Sequence, residues 1–168
     1  SVTKMFSVNF AIQYLMTKEQ ITLDTKIVDI LGEEFANNTI ERKYNNRDKI
    51  PLSENKKMKA NITVRDVLRH QAGFPSGPQN MTNQKKLSTS PNDATRKDTL
   101  KQIFMTPLMY EPGTELVYSD LDYMLLDFCV EEITGMQIDQ YLEEIFWKPM
   151  GLTHITYNPM ENGFSADD

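Results

Sequence analysis

Ser1 and Lys4 are the first residues whose types and spacing could do chemistry. A serine hydroxyl is a weak nucleophile and needs a base beside it. One helical turn apart, the two side chains share a face. A lysine can take the hydroxyl proton where desolvation lowers its pKa, because burial disfavours the ammonium. A helix N-terminus adds a modest field that favours negative charge on the attacking oxygen. The pair heads the largely apolar stretch SVTKMFSVNFAIQYLM. A lysine there is costly unless it is paired or neutralised.

Spacing alone is not specific. Ser53 and Lys56, in SENK, match it equally well. That copy lies in a polar stretch after Pro51 with no apolar helix behind it, and it reads as a solvated loop. Context favours Ser1 and Lys4, but spacing by itself leaves open both a nucleophile with its base and an ordinary helix start.

The positioning elements must come from a chain of 168 residues, 39% hydrophobic and 25% charged. That fits one domain, residues 1–168, with a sizeable core. A net charge of -6 lacks the basic footprint of a nucleic-acid or anionic-membrane partner. No apolar run approaches the roughly 20 residues of a spanning helix, and no signal peptide is visible. Cys129 is the single cysteine, so no internal disulfide is possible, and its apolar helical setting predicts a core thiol. His70 and His154 are far apart with no companion ligands, so no zinc spacing exists. No metal or cofactor is expected.

Residues 1 to about 17 read as a helix that is apolar in nearly all directions, the pattern of a buried helix. ITLDTKIVDILG follows as a turn and a short helix closed by Gly32. Residues 36–60 look polar and irregular. In NITVRDVLRHQAG, Thr63 can cap a helix with Asp66 at its third position, and Gly73 ends it. Residues 74–94 form a long loop rich in Pro, Gly, Ser and Asn, of a length that is often functional or mobile. A helix over 95–105 stops at Pro107. Pro112 and Gly113 make a turn, ELVY a short extended piece, and Ser119 caps the next helix, with Asp122 three residues on and Gly135 closing it. A last helix runs from about Ile138 to Trp147 and breaks at Pro149 and Gly151. Strand signals are few and no βαβ alternation occurs, so the expected class is mainly α.

SVTKMF leading into a long apolar helix resembles the first active-site motif of the penicillin-recognising serine hydrolases, which include class C β-lactamases, DD-peptidases and related esterases. LDTKIVDILGEEF is similar to the segment that follows that helix in the family. ITVRDVLRHQAGFPSG resembles the family's ITVRDLLTHTSGLPSG. YEPGTELVYSDLDYMLLDFCVEEITG resembles PGTxFxYSNxGYxLLGxIIExxTG, and YLEEIFWKPMGLTHITYNP resembles IFxPLGMxxT. These segments occur in order through most of the chain. The resemblance implies the helical region of the α/β serine β-lactamase-like (DD-peptidase) fold, with the central sheet largely missing from this chain. It makes Ser1 the acylated nucleophile, Lys4 its partner, and Tyr118 the group that moves protons between nucleophile and leaving group. A phenol can do this where a nearby positive charge lowers its pKa, and Lys4 would supply that charge.

Two departures from the family pattern shape the expectation. Asp120 stands where the family has asparagine, at a substrate-binding position. A carboxylate only accepts hydrogen bonds, whereas an amide also donates. Asp120 would therefore hold Lys4 protonated and leave Tyr118 as the base, which favours a peptidase or esterase over a β-lactamase. The family's third motif, Lys-Thr-Gly or His-x-Gly on a strand, is not found, and the chain reads as part of a longer enzyme cut at both ends. GFPSG, at 73–77, is no Gly-x-Ser-x-Gly nucleophile elbow.

The expected activity is acyl-enzyme hydrolysis of amides or esters: cell-wall peptides, D-amino acid peptides, β-lactams or small esters. The alternative is a binding or scaffolding module that kept the fold and lost the chemistry. A free N-terminal nucleophile at Ser1 would call for stacked sheets, and strand signals are scarce. The expected partner is a small-molecule or peptide acyl substrate. Relatives often work outside the cytoplasm.

Overall fold

The first apolar stretch is helical, as its pattern predicts, but it is not buried all round. A π-helical turn, Lys4–Val8, leads into α1, Asn9–Thr17. Ser7, Val8, Ala11, Ile12 and Leu15 are buried, whereas Val2, Met5, Phe6 and Phe10 are exposed. The expectation of a central buried helix is corrected accordingly. An apolar pattern records a capacity for burial, and burial itself depends on neighbours. Here α7 and α8 pack against one side of the segment, and among the described residues nothing covers the other. The computed structural model describes residues 2–45, 47–77 and 93–165, without the side chains of 93–95 and 161. Ser1 and most of the 74–94 loop lie outside the described residues.

Two short helices follow, α2 (Ile27–Leu31) and α3 (Glu34–Asn37), joined across Gly32 at φ 83°. Residues 36–60 hold more order than their polarity suggests. α4 runs over Leu52–Lys59, so Ser53 and Lys56 lie on a helix and not in a solvated loop. The reason is Lys59, which is fully buried. Its Nζ donates to the carbonyls of Ile103, Phe104 and Thr106, at the end of the helix over residues 93–105, where carbonyls run short of intrahelical donors. The same Nζ lies 4.7 Å from the centre of the Phe35 ring and 5.5 Å from that of Phe74.

α5 (Val64–Leu68) starts with the predicted capping box, in which Thr63 and Asp66 bond each other's backbone N–H. It ends at Leu68, earlier than the expected stop at Gly73, because His70 takes a left-handed φ of 56°. Lys26 and Thr63 form an isolated antiparallel bridge, and no strand occurs among the described residues.

α6 (Asp93–Met105) and α7 (Asp120–Thr134) complete the core with α8 (Ile138–Leu142), which continues as a second π-helical turn, Glu143–Trp147. α7 is the central element. Leu121, Leu125, Leu126, Cys129 and Val130 are buried on it, and it packs against α2, α5, α6, α8 and the N-terminal helix. Ser119 caps it and Gly135 closes it at φ 70°, as the sequence predicts. Cys129 is a core thiol, and burial pushes its pKa up.

Candidate active site

Three segments distant in sequence meet at one edge of this helical core. The π-helical turn carries Lys4, the approach to α7 and its first residue carry Tyr118 and Asp120, and the exit from α5 carries His70. Lys4 Nζ donates to Asp120 Oδ1 at 2.6 Å. The Lys4 side chain is only 14% exposed, whereas that of Asp120 is 53% exposed, so the pair bridges the core edge and the surface. Nζ lies 4.9 Å from the centre of the Tyr118 ring and 5.9 Å from that of Tyr123. Burial draws the Lys4 pKa down, but hydrogen bonding to Asp120 and Tyr118 outweighs it and holds the pKa above the ordinary lysine value. The lysine is therefore held as an ammonium.

The N-cap of α7 sets these positions. The Ser119 hydroxyl accepts from the Leu121 N–H and donates to the Pro75 carbonyl. Asp120 N–H donates to the Ser76 carbonyl. Tyr118 and Asp120 flank this buried serine, so the first turn of α7 and the 75–76 backbone orient both. Of the predicted site residues, Lys4, Tyr118 and Asp120 come together. Ser1, the predicted nucleophile, lies outside the described residues.

Beside Lys4 a cleft of about 180 Å³ is lined by Thr3, Asp120, Tyr123, Asp127 and Tyr157, among others. A larger cavity of about 490 Å³, between the second π-helical turn and residues 151–164, is lined by none of the predicted site residues. Among the described residues no group of three or more His, Cys, Asp or Glu could hold a metal ion, and no helix is long and apolar enough to cross a membrane.

Sequence reasoning missed His70, Asp122 and Tyr123. Asp122 does not complete a capping box with Ser119. Its Oδ2 lies 2.8 Å from His70 Nδ1, and Ser119 N–H donates to that same nitrogen at 3.3 Å. The His70 ring lies against Tyr118, 4.6 Å between centroids, and against Tyr123 at 5.2 Å. Burial pushes the Asp122 carboxyl up to about 8, with Lys4 pulling the other way. Burial, and then Lys4, lowers the His70 pKa, with Asp120 opposing. A signal was present: in YSDLDY, Asp122 occupies the place of the glycine in YSNxGY.

The Beta-lactamase family model matches residues 1–168, and the chain belongs to that family. It is 37% identical over 166 residues to an Escherichia coli (strain K12) protein provisionally named D-alanyl-D-alanine carboxypeptidase, a match covering 98% of this chain and 34% of that protein. A protein of the same name from Salmonella newport (strain SL254) is 36% identical over 165 residues, covering 98% of this chain and 34% of its own length. The chain thus spans about a third of the length of the curated relatives it matches.

Among solved structures, the octameric penicillin-binding protein homologue from Pyrococcus abyssi superposes with a TM-score of 0.63 at 16% identity, covering 98% of this chain and 33% of that one. A simvastatin synthase mutant from Aspergillus terreus gives 0.66 at 23% identity, covering 96% and 39%. These likenesses show the fold: the described residues are the helical region of the serine β-lactamase-like fold.

Proposed function

We propose that this chain carries the nucleophile, lysine and tyrosine of a serine hydrolase that works through an acyl-enzyme. The observation that carries the reading is the convergence of Tyr118 and Asp120 on Lys4, three positions after Ser1 in the sequence. Ser1 Oγ attacks the substrate carbonyl carbon while its proton passes to the Tyr118 oxygen. The Lys4 ammonium, 4.9 Å from the Tyr118 ring, offers the phenolate a counter-charge. When the tetrahedral adduct collapses, the bond to the leaving group breaks, and Tyr118 returns the proton to that group. Water then hydrolyses the ester on Ser1. Asp120 holds Lys4 charged through one oxygen and leaves the other to accept from a substrate N–H.

The relatives' names support a peptide amide ending in D-alanyl-D-alanine as the substrate class. An acceptor-only residue at position 120 suits such a peptide, which brings its own N–H donors. The test is labelling of the intact protein with a fluorophosphonate or a fluorescent penicillin. Ser1→Ala should abolish labelling, and Lys4→Ala should nearly abolish it, because the serine then loses the charge that supports its base. Undiminished labelling of Ser1→Ala overturns the assignment. The Lys4–Asp120 ion pair also favours a second reading, a binding module whose lysine is locked as a structural cation. That reading expects no labelling of the unaltered protein but retained affinity for D-alanyl peptides.

A further inference from the structure

The His70–Asp122 pair sits beneath Tyr118, and its hydrogen-bond geometry determines where its protons are. His70 Nδ1 has two polar neighbours, Asp122 Oδ2 at 2.8 Å and the Ser119 backbone nitrogen at 3.3 Å. A backbone N–H can only donate, so the Ser119 contact favours the tautomer in which Nδ1 presents its lone pair. The shorter contact then holds a hydrogen only if the carboxyl supplies it, as Oδ2–H to Nδ1. A carboxylate facing that lone pair would be repelled, and Asp122 is only 1% exposed. Its Oδ1 is buried without a hydrogen-bond partner, which a neutral carbonyl oxygen tolerates far better than a charged one.

We propose that Asp122, as an un-ionised carboxylic acid, and His70, as a neutral imidazole protonated on Nε2, form the seat that positions Tyr118 against Lys4, a role that rests on the catalytic reading of Tyr118 above. His70 is a non-glycine residue at φ 56°, an uncommon conformation. Its carbonyl accepts the Val117 N–H at 3.0 Å, which brings the residue before Tyr118 onto it. The imidazole then lies against the phenol ring, with Lys4 also within 5 Å of that ring's centre. Tyr118 is 51% exposed, so burial does not fix its orientation and these contacts do.

The titratable and charged groups around the pair are Lys4 from the π-helical turn, Tyr118 from the approach to α7, Asp120 and Tyr123 from α7, and Tyr110, whose hydroxyl donates to the His70 carbonyl. Lys4 and Asp120 offset one another. Burial raises Asp122 to about 8 and lowers His70, in keeping with two neutral groups at neutral pH. Above that range Asp122 ionises, the Oδ2–H donor is lost, and a negative charge appears under Tyr118 and Lys4.

The first measurement is the histidine tautomer in the intact, unaltered protein, read by nitrogen-15 NMR of labelled histidine at neutral pH. The expected spectrum has an unprotonated Nδ1 and a protonated Nε2 for His70. A protonated Nδ1, as in an ionised Asp–His pair, overturns the proposal. The second measurement is the rate of fluorophosphonate labelling. Asp122→Ala should slow it roughly 10- to 100-fold through misplacement of Tyr118. Asp122→Asn keeps an N–H donor toward Nδ1 and should restore most of that loss. The ratio of Asp122→Asn to unaltered rates should also rise between about pH 7 and pH 9, as the natural carboxyl ionises and the amide does not. An asparagine variant as slow as the alanine variant overturns the positioning role, since an ionised orienting aspartate is the case in which asparagine fails. The tautomer is read without turnover. If Ser1 fails to label, the catalytic reading falls while the protonation states are still decided, and if Asp122→Ala does not fold, the unaltered protein suffices.

Discussion

Lys4 and Asp120 are 116 positions apart in the chain and 2.6 Å apart in space. The contact sets the charge of the lysine three positions after the predicted nucleophile. An uncharged carboxamide at position 120 would hold the ammonium less well.

Asp120→Asn should therefore lower the Lys4 pKa from its raised value. In the intact protein, the alkaline limb of the fluorophosphonate-labelling profile, where Lys4 loses the charge that supports Tyr118, should move to lower pH, by up to about one unit. Fold stability should change by less than about 1 kcal/mol, because half-exposed ion pairs contribute little. An unmoved profile would show that the ion pair does not govern the chemistry.

Lys59 is a fully buried lysine, and its replacement should be costly. Lys59→Met removes the Nζ donor from the Ile103, Phe104 and Thr106 carbonyls, of which Ile103 keeps the Thr106 N–H and Phe104 the Thr39 hydroxyl, at about 1–3 kcal/mol. Lys59→Ala adds a cavity and should lose roughly 3–5 kcal/mol. Burial sets the folded pKa well below 10.5, so between the folded and unfolded values the unfolded chain binds the extra proton. Stability should accordingly rise with pH through that window in the natural protein and stay flat in Lys59→Met. Urea denaturation across pH checks both the magnitude and the sign.

Gly73→Ala should be destabilising by more than about 2 kcal/mol, because two penalties coincide. The residue has φ 97°, and an added Cβ would meet the Tyr110 carbonyl oxygen at 2.5 Å. The Met109 N–H also donates to the Gly73 carbonyl, so relief by backbone movement would break that bond. Thermal unfolding measures the loss. A melting temperature equal to that of the natural protein would show that the 73–110 contact is looser than drawn.

The sequence showed most clearly the features whose cause is local. Thr63 with Asp66, Ser119, Gly32 and Gly135 mark helix ends because capping and left-handed turns depend on one or two residues and their immediate backbone. The family resemblance likewise placed Lys4, Tyr118 and Asp120 in one site, and the charge difference at position 120 announced the ion pair. Features that depend on distant partners were hidden. Nothing around Lys59 in a polar stretch shows that its Nζ reaches three carbonyls of α6 and the residues after it, and so α4 looked like loop. The N-terminal stretch looked apolar all round, and only the placement of α7 and α8 shows which face is covered.

By itself, then, the sequence determined a mainly helical chain of the penicillin-recognising hydrolase type, the capped ends of several of its helices, and which residue types could do acyl chemistry. Tertiary structure decided the partners. Asp122 looked like a helix cap because Ser119 lies three residues before it, but its carboxyl turns to His70. Capping energies are small, about 1 kcal/mol, and a buried carboxyl is driven to whichever group can share a hydrogen bond with it. Which group that is depends on how α5 exits at His70 and lays its imidazole beside α7, a matter of long-range packing that no local window contains.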